Sequence, residues 1–204
     1  MKCNIPHLVL ILAAFAVVPD SWAADTAGGN VFLDAKIGSA FGKQNGSNYS
    51  HQGTHSSWGA DGGYLWKLDD QRSAGFELGY LHFDQFYEQS GNSGSDRTSA
   101  TSAISLGGHF QVLFGDDRAT IFQLRGGLMS VKMDDHFTSN FPSSSGTNSW
   151  RQTGLYAGLG IGRKLTQGLS VILAYSYYGA PDNANGLGTD LNLNWVGLVA
   201  EYQF

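Results

Sequence analysis

The stretch LNLNWVGLVAEYQF, from Leu191 to Phe204, decides how the rest of the chain is interpreted. Its second half alternates between two faces. One face is apolar throughout and consists of Val196, Leu198, Ala200, Tyr202 and Phe204. The other face mixes small, apolar and charged side chains, namely Trp195, Gly197, Val199 and Glu201. A period of two indicates a β-strand with one apolar face.

Earlier segments repeat this alternation, and each is long enough to cross a membrane as a tilted strand of about ten residues. They are Val31–Phe41, Trp58–Lys67, Ser73–Phe86, Thr98–Phe114, Ala119–Met133, Trp150–Leu165 and Leu169–Tyr178. With the last stretch they make eight predicted strands.

The predicted connections alternate between long and short. The long ones are rich in Gly, Ser and Asn, which favours loops, and they cover residues 42–57, 87–97, 134–149 and 179–189. The short ones cover residues 68–72, 115–118 and 166–168. Barrels of the bacterial outer membrane have long external loops, short periplasmic turns and an even number of strands from about eight upwards. The sequence therefore predicts an all-β fold, an eight-stranded antiparallel up-and-down transmembrane β-barrel.

Composition agrees with this fold and excludes some functions. Charged residues make up 14% of the chain, against roughly 25% in a soluble domain. The net charge is −5 and the basic residues are scattered, so nucleic-acid binding is not indicated. The only cysteine is Cys3, which excludes a disulfide within the chain.

The first residues predict a secretory signal peptide, residues 1–24, followed by a barrel domain, residues 25–204. Lys2 precedes an apolar run from Leu8 to Val18, which is too short to span a bilayer. Cleavage sites of the small-x-small kind end at Ala23 or Ala24, and we favour Ala24. Cys3 would be removed with this segment.

The less apolar faces of the strands indicate which side lines the interior. Beside many glycines they carry Asp34, Lys36, Glu77, Gln123, Arg125 and Glu201. A soluble carrier barrel would place its apolar face inward instead. Glycine has no reason to face water, but it makes room for larger side chains inside a narrow barrel. We therefore predict a polar network in the lumen, which is either a structural plug of ion pairs or an ion path, and we favour the plug because barrels of this size are filled by side chains.

Aromatic residues cluster near the predicted strand ends, which is typical of the girdles at membrane interfaces. They are Trp58, Tyr64, Trp66, Tyr80, Tyr87, Trp150, Tyr175, Tyr177, Tyr178, Tyr202 and Phe204.

No catalytic or metal-binding motif stands out, and we predict neither a catalytic site, a metal site nor a cofactor. His51 and His55 lie in a predicted loop that fixes no ligand geometry. Asp134, His136 and Ser139 bring an acid, a histidine and a serine together, but the last two are three residues apart. His109 is interpreted as a hydrogen-bonded interior residue.

The architecture and the terminal segment VAEYQF, residues 199–204, resemble the small outer-membrane β-barrel superfamily of OmpA transmembrane, OmpX/Ail and opacity-type proteins. The resemblance covers Val31 to Phe204. It implies outer-membrane localisation in a Gram-negative bacterium, contact with outer-membrane lipid or lipopolysaccharide, and insertion by the barrel assembly machinery, which would read Tyr202 and Phe204 as its signal.

For function, the resemblance implies a non-enzymatic barrel in surface interaction, adhesion or envelope integrity, with any surface ligand bound by the predicted loops 42–57, 87–97, 134–149 and 179–189. Three alternatives remain open. They are a lipid A-modifying enzyme like the deacylases, whose His and Ser are two apart rather than three, a narrow pore, and a soluble periplasmic carrier.

Overall fold

In a computed structural model of the chain, residues 28–46, 49–90, 95–139, 145–180 and 190–204 are described. They form eight strands in one closed barrel, in which every strand pairs antiparallel with its sequence neighbours. The strands are β1 (Gly29–Gly46), β2 (Tyr49–Lys67), β3 (Arg72–Ser90), β4 (Ser95–Phe114), β5 (Thr120–Ser139), β6 (Ser145–Lys164), β7 (Leu169–Ala180) and β8 (Asp190–Gln203). None of the described residues forms a helix long and apolar enough to cross a membrane.

The first and last strands close the barrel. β1 pairs with β8 from Phe32 opposite Gln203 to Asn45 opposite Asp190. Beyond this ladder, the backbone N–H of Phe204 donates to the carbonyl of Val31 at 3.0 Å. Closure leaves no sheet edge in the wall, which is what a β-structure needs in order to sit in hydrocarbon. The predicted fold class is confirmed.

One end of the barrel, which we call the turn end, carries the three short connections after β2, β4 and β6. In the first, the Asp69 carboxylate accepts the backbone N–H groups of Gln71 at 2.9 Å and Arg72 at 2.7 Å. In the second, Gly115 and Arg118 adopt positive φ angles of 85° and 50°. The opposite end, where β1–β2, β3–β4, β5–β6 and β7–β8 are joined, is the hairpin end.

A wide band of the outer wall is apolar, and we call it the apolar belt. Its side chains point away from the lumen and are exposed, although they are large. Examples from successive strands are Leu33, Trp58, Leu78, Leu106, Leu128, Leu155, Leu173 and Leu198. These are the faces that the alternation marked as apolar, and the structure places them on the outside.

The strands run well past the apolar belt at the hairpin end, and here the predicted loops are wrong. Residues 42–46 and 49–57, 87–90 and 95–97, and 134–139 and 145–149 belong to strands. For the fourth loop, β7 ends at Ala180 and β8 begins at Asp190, and residues 181–189 lie outside the described residues. Gly, Ser and Asn led us to expect loops, but cross-strand hydrogen bonds satisfy the backbone of a paired hairpin whatever its side chains.

Beyond the apolar belt the polarity of the two faces is reversed. On β5 the inward residues Met129, Val131 and Met133 are buried, while Ser130 and Lys132 point outward. The same reversal occurs on β3, β4 and β8, where Leu81, Ala103 and Leu193 are buried inward and His82, Ser102 and Asn192 point outward. Together the buried inward residues form what we call the hairpin-end core: Ala40, Leu81, Phe83, Ala103, Met129, Val131, Met133, Tyr178, Ala180, Leu191, Leu193 and Trp195.

Two sheets enclose the hairpin-end core. Among the described residues, the pairing of β2 with β3 ends at Ser57 opposite Phe83, and the pairing of β6 with β7 ends at Leu155 opposite Gly179. Past these points the remaining pairings divide the barrel wall into two sheets, one formed by β3–β6 and the other by β7, β8, β1 and β2. At the second seam, the Gln152 side-chain amide donates to the Ala180 carbonyl at 2.9 Å.

Candidate functional site

Inside the apolar belt, the inward faces of neighbouring strands bring carboxylates together. Asp34 on β1 lies directly opposite Asp61 on β2 and directly opposite Glu201 on β8. Glu77 on β3 adds a fourth carboxylate, and all four are buried. Like charges in directly opposed positions destabilise a sheet, and buried charges cost several kcal/mol each when unpaired. This arrangement is therefore stable only if cations reach it or some of the carboxyl groups are protonated.

Arg125 supplies the central cation from β5, on the far wall of the barrel. Its Nη2 atom lies 2.6 Å from Asp34 Oδ2 and 3.3 Å from Glu201 Oε2. Its Nη1 atom lies 2.9 Å from Asp61 Oδ2 and 3.1 Å from Glu77 Oε2. The guanidinium suits this position because it carries five donors in a planar fork. One side chain thus joins β1, β2, β3 and β8 to β5 across the lumen.

Lys36 provides the second cation, and its ammonium forms an ion pair with Asp61. We call Asp34, Lys36, Asp61, Glu77, Arg125 and Glu201 the charge cluster. Its four carboxylates face two cations, so the cluster is acidic when all the carboxylates are ionised. The ion pairs cross the lumen from wall to wall, which makes the cluster a brace between opposite strands.

Tyr156 and His109 complete the environment of Glu77. The Tyr156 hydroxyl donates to Glu77 Oε1 at 2.8 Å. His109 Nδ1 lies 3.7 Å from Glu77 Oε2, beyond hydrogen-bond distance, and the imidazole meets the Phe32 ring edge-on at 4.9 Å. Neither nitrogen of His109 has a hydrogen-bond partner among the described residues, so the expectation of a hydrogen-bonded histidine is not met.

Amide side chains extend the network from Glu201 towards the turn end. Gln123 donates to Glu201 Oε2 at 2.6 Å, and Gln111 and Gln203 donate to Oε1 at 3.2 and 2.7 Å. Beyond them the lumen widens into a polar bowl of about 640 Å³, which Asn30, Lys67 and Lys164 help to line.

Side chains pack closely around the charge cluster. Glycines on the inward faces allow this packing: a Cβ atom on Gly79 would collide with the Asp61 carboxylate, and one on Gly107 would collide with the Tyr156 hydroxyl. The cavity next to Lys36 and Arg125 measures about 10 Å³, which is about the space of one water molecule.

The hairpin-end core fills the lumen above the charge cluster. The indole of Trp195 on β8 is buried and donates to Ser57 Oγ on β2 at 2.7 Å. Tyr178 stacks on Tyr156 at 6.2 Å between ring centroids. Tyr178 therefore belongs to the interior, and its assignment to an aromatic girdle was wrong because it lies on the inward face of β7, with Ile172 and Ser176.

The sequence matches the family model described as the OmpA-like transmembrane domain over residues 26–204. The chain belongs to this family. It is accordingly an integral barrel of the bacterial outer membrane, with its turn end in the periplasm and its hairpin end outside the cell.

Solved structures share the OmpA-like fold at low sequence identity. Neisserial surface protein A is 15% identical, with a TM-score of 0.55 over 87% of this chain and 99% of that one. OprG from Pseudomonas aeruginosa is 13% identical, with a TM-score of 0.53 over 86% and 96%. Ail from Yersinia pestis, in complex with the heparin analogue sucrose octasulfate, is 14% identical, with a TM-score of 0.52 over 87% and 99%. No curated protein matches the chain.

The structure brings together the six lumen residues that the sequence analysis singled out. Asp34, Lys36, Glu77, Gln123, Arg125 and Glu201 all lie inside this OmpA-like barrel and connect through Arg125, Glu201 or Asp61. The network also contains Asp61, Gln111 and Tyr156, which were not predicted from the sequence. Asp61 could have been found, since it lies on the opposite face from Trp58, Ala60 and Gly62.

The described structure does not assemble a catalytic or metal site from the residues considered for those roles. His136 and Ser139 belong to β5 and not to a loop, and their side chains lie outside the described residues, as does that of His51. Within the described part of the chain, no group of three or more His, Cys, Asp or Glu side chains could hold a metal ion.

The terminal aromatic pair lies on the outer wall at the periplasmic end. The rings of Tyr202 and Phe204 meet edge-on, with 4.9 Å between centroids. Nearby, Trp66 meets Tyr64 at 5.2 Å and Phe76 at 5.8 Å. These aromatic side chains suit the boundary between the outer membrane and the periplasmic water.

Proposed function

We propose that this OmpA-like barrel is a non-enzymatic surface protein that uses its extracellular hairpins for recognition. The observation that carries the proposal is the filled interior. The charge cluster braces the membrane-embedded lumen, and the hairpin-end core occupies the lumen outside it. Apart from the polar bowl at the turn end, the surface that such a barrel offers to a ligand lies outside the cell, on the extended ends of β1 to β6.

The paired hairpins support this role, because cross-strand pairing holds their extracellular ends in one defined surface. β5 and β6 remain paired from Thr120 opposite Arg163 to Thr138 opposite Ser145. The surface ligand that the predicted loops 42–57, 87–97, 134–149 and 179–189 were expected to bind would meet strand ends over the first three segments. Ail, a barrel of the same fold, has been solved with a heparin analogue, so a sulfated glycan is the first ligand class to test.

The experiment displays the full chain on a Gram-negative host and measures binding to immobilised heparin and to extracellular-matrix proteins. In the test variant, residues 137–146 are replaced by Asn-Gly, which closes a short hairpin above the paired residues His136 and Thr147. The matched control replaces residues 45–50 by Asn-Gly above the paired residues Gln44 and His51. We expect the 137–146 truncation to abolish binding and the 45–50 truncation to keep it, while both variants keep the heat-dependent gel shift of a folded barrel.

Two further measurements separate this proposal from its alternatives. A sealed lumen predicts no ion conductance above background in planar bilayers, so steady single-channel currents would favour a pore. Release of fatty acid from lipid A that disappears in His136→Ala or Ser139→Ala would favour an enzyme. The absence of ligand binding by displayed wild-type protein, together with an intact envelope in a strain lacking it, would overturn the proposal.

Tyr202 and Phe204 are proposed as the assembly signal, in line with the family resemblance. Phe204→Ala should reduce the amount of barrel in the outer membrane, and Phe114→Ala, at the same end of β4, is the control for loss of an outward aromatic ring. Equal amounts of Phe204→Ala and wild-type protein in the outer membrane would contradict this role.

A further inference from the structure

Two lysines face each other across the periplasmic mouth of the barrel. Lys67 is the last residue of β2 and Lys164 is the last residue of β6, and three strands separate β2 from β6 on either side of the closed wall. Both side chains line the polar bowl at the turn end. Neither makes an ion pair or a hydrogen bond with a described residue. The bowl therefore holds two like charges on opposite walls.

The acids around the bowl are engaged at its rim. Three aspartates line the rim, and each forms an ion pair with an arginine. The pairs are Asp69–Arg72 at 2.7 Å, Asp70–Arg118 at 3.4 Å and Asp117–Arg163 at 3.2 Å. All three aspartates belong to the turns beyond the strand ends, whereas the lysines lie on the wall below them. The positive charge of the lysines thus remains inside the bowl.

Amide side chains form the floor of the bowl, and Glu201 orients them. Gln111 and Gln203 donate to Glu201 Oε1 at 3.2 and 2.7 Å. Gln203 gives its second N–H to Gln111 at 2.9 Å and accepts one from Asn30 at 3.3 Å. A side-chain amide carries two N–H donors, so Gln111 and Asn30 each keep one that no described residue accepts. Because Arg125 offsets the charge of Glu201, the bowl presents free donors and positive charge.

The size and setting of the bowl suit a small ligand. Its volume of about 640 Å³ lies within the range of roughly 300–1,000 Å³ that is usual for small-molecule sites. The charge cluster closes it below, and the turn end opens it to the periplasm. A cleft with walls of low dielectric constant strengthens the attraction between its charges and an ion of opposite sign.

The placement of the lysines favours one kind of anion. Each ammonium is a compact charge on a flexible four-carbon stem, and the two stems begin on opposite walls. An anion with a single acidic group pairs fully with only one of them. An anion with two acidic groups lies between them and relieves their repulsion at both ends.

We propose that the bowl binds a small periplasmic anion with two carboxylate or phosphate groups, which lies between Lys67 and Lys164. The free N–H groups of Gln111 and Asn30 donate to its remaining oxygens. The site is independent of the proposed recognition by the extracellular hairpins, because the charge cluster separates the bowl from the hairpin-end core.

The experiment uses the full barrel refolded in uncharged detergent micelles, which leave the turn end accessible. Isothermal titration calorimetry measures the dissociation constants of glutarate, with two carboxylates, pyrophosphate, with two phosphates, and acetate, with one carboxylate, at equal ionic strength. The test variant is Lys67→Gln/Lys164→Gln. The matched control is Lys132→Gln/Arg151→Gln, which removes two cations that are Cα partners on the outer wall near the hairpin end. The heat-dependent gel shift verifies folding, and Lys67→Gln alone, at the exposed lysine, replaces a double variant that does not fold.

We expect wild type and control to bind at least one of the two-group anions with a dissociation constant of about 1 mM or less, and the test variant to bind it about tenfold more weakly. Tighter binding of glutarate would support a carboxylate ligand, and tighter binding of pyrophosphate a phosphate ligand. Equal affinities of test variant and wild type would overturn the proposal, as would an equal loss in the control, which would make the effect one of net charge. Acetate bound as tightly as glutarate and pyrophosphate, or no binding of either by wild type at millimolar concentration, would also contradict it.

Discussion

The two halves of this barrel, built from the same strands, follow opposite rules of polarity. Within the membrane the outer face is apolar, and the lumen holds the charge cluster. Outside the cell the outer face carries Ser130 and Lys132, and the lumen holds Val131 and Met133. The difference follows from the solvent: lipid surrounds one half and water surrounds the other, so apolar side chains face outward in the first and inward in the second.

The comparison also shows that the halves are stabilised differently. The membrane half joins opposite walls by ion pairs that depend on one residue, Arg125. The extracellular half depends on buried apolar area shared among many side chains. Loss of the side chain at the centre of the charge cluster should therefore be more damaging than a typical truncation in the hairpin-end core.

The largest effect is expected for Arg125→Met. It leaves four buried carboxylates with Lys36 as their only cation, and breaking a buried ion pair in this way typically costs about 3–5 kcal/mol. Urea unfolding in phospholipid vesicles would measure the loss. Adding Asp34→Asn and Glu201→Gln should recover part of it, whereas Arg163→Gln at the exposed pair with Asp117 should cost less than about 1 kcal/mol. If Arg125→Met were as stable as wild type, the charge cluster would not be what stabilises the membrane half.

Leu193→Ala should come next. Leu193 is buried in the hairpin-end core, and a cavity left by such a truncation costs about 2–5 kcal/mol. The loss should be local, so protease should cut the extracellular hairpins while the membrane half stays folded. The control is Leu198→Ala on the same strand, which faces lipid and leaves a space that acyl chains can fill. Equal losses of stability in the two variants would mean that the inward and outward faces of β8 are not stabilised differently in the two halves.

The smallest effect is expected at the periplasmic turn. The backbone N–H of Gln71 and the side chain of Arg72 hold the pKa of Asp69 below its usual value. A lowered pKa stabilises the folded state above the ordinary aspartate value of about 3.9 and loses that effect as the pH falls through the folded pKa. Asp69→Asn should thus be slightly less stable than wild type at pH 7 and equal to it near pH 2. A constant difference across this range would contradict the assignment.

Much of the membrane half could be predicted from sequence, because alternation there reports one constant environment. The parity of Asp34, Arg125 and Glu201 relative to their apolar neighbours was enough to place them in the lumen. Which of them would meet could not be predicted. Arg125 reaches Asp34 from the opposite wall, and that distance depends on how all eight strands are staggered around the barrel.

The strands of the extracellular half were not predicted, because the polar composition of these segments outweighed the alternation of their apolar residues. Residues 134–149 are polar enough to suggest a loop, yet most of them are paired strand. The sequence did contain a signal. Apolar residues shift from one parity to the other at the adjacent pairs Tyr80–Leu81, Leu128–Met129 and Trp195–Val196. A shift of phase without a turn residue marks the level at which the strand leaves the membrane.

The most direct test of the reversal is a comparison of three lysine substitutions within four residues of β5. Leu128→Lys places a charge in lipid and should cost up to about 2–4 kcal/mol. Ser130→Lys points into water and should stay within about 0.5 kcal/mol of wild type. Val131→Lys points into the hairpin-end core and should again be costly, by at least about 2 kcal/mol. Urea unfolding in vesicles should therefore show a large loss of stability for Leu128→Lys and Val131→Lys and almost none for Ser130→Lys. A harmless Val131→Lys together with a damaging Ser130→Lys would contradict the reversal of polarity.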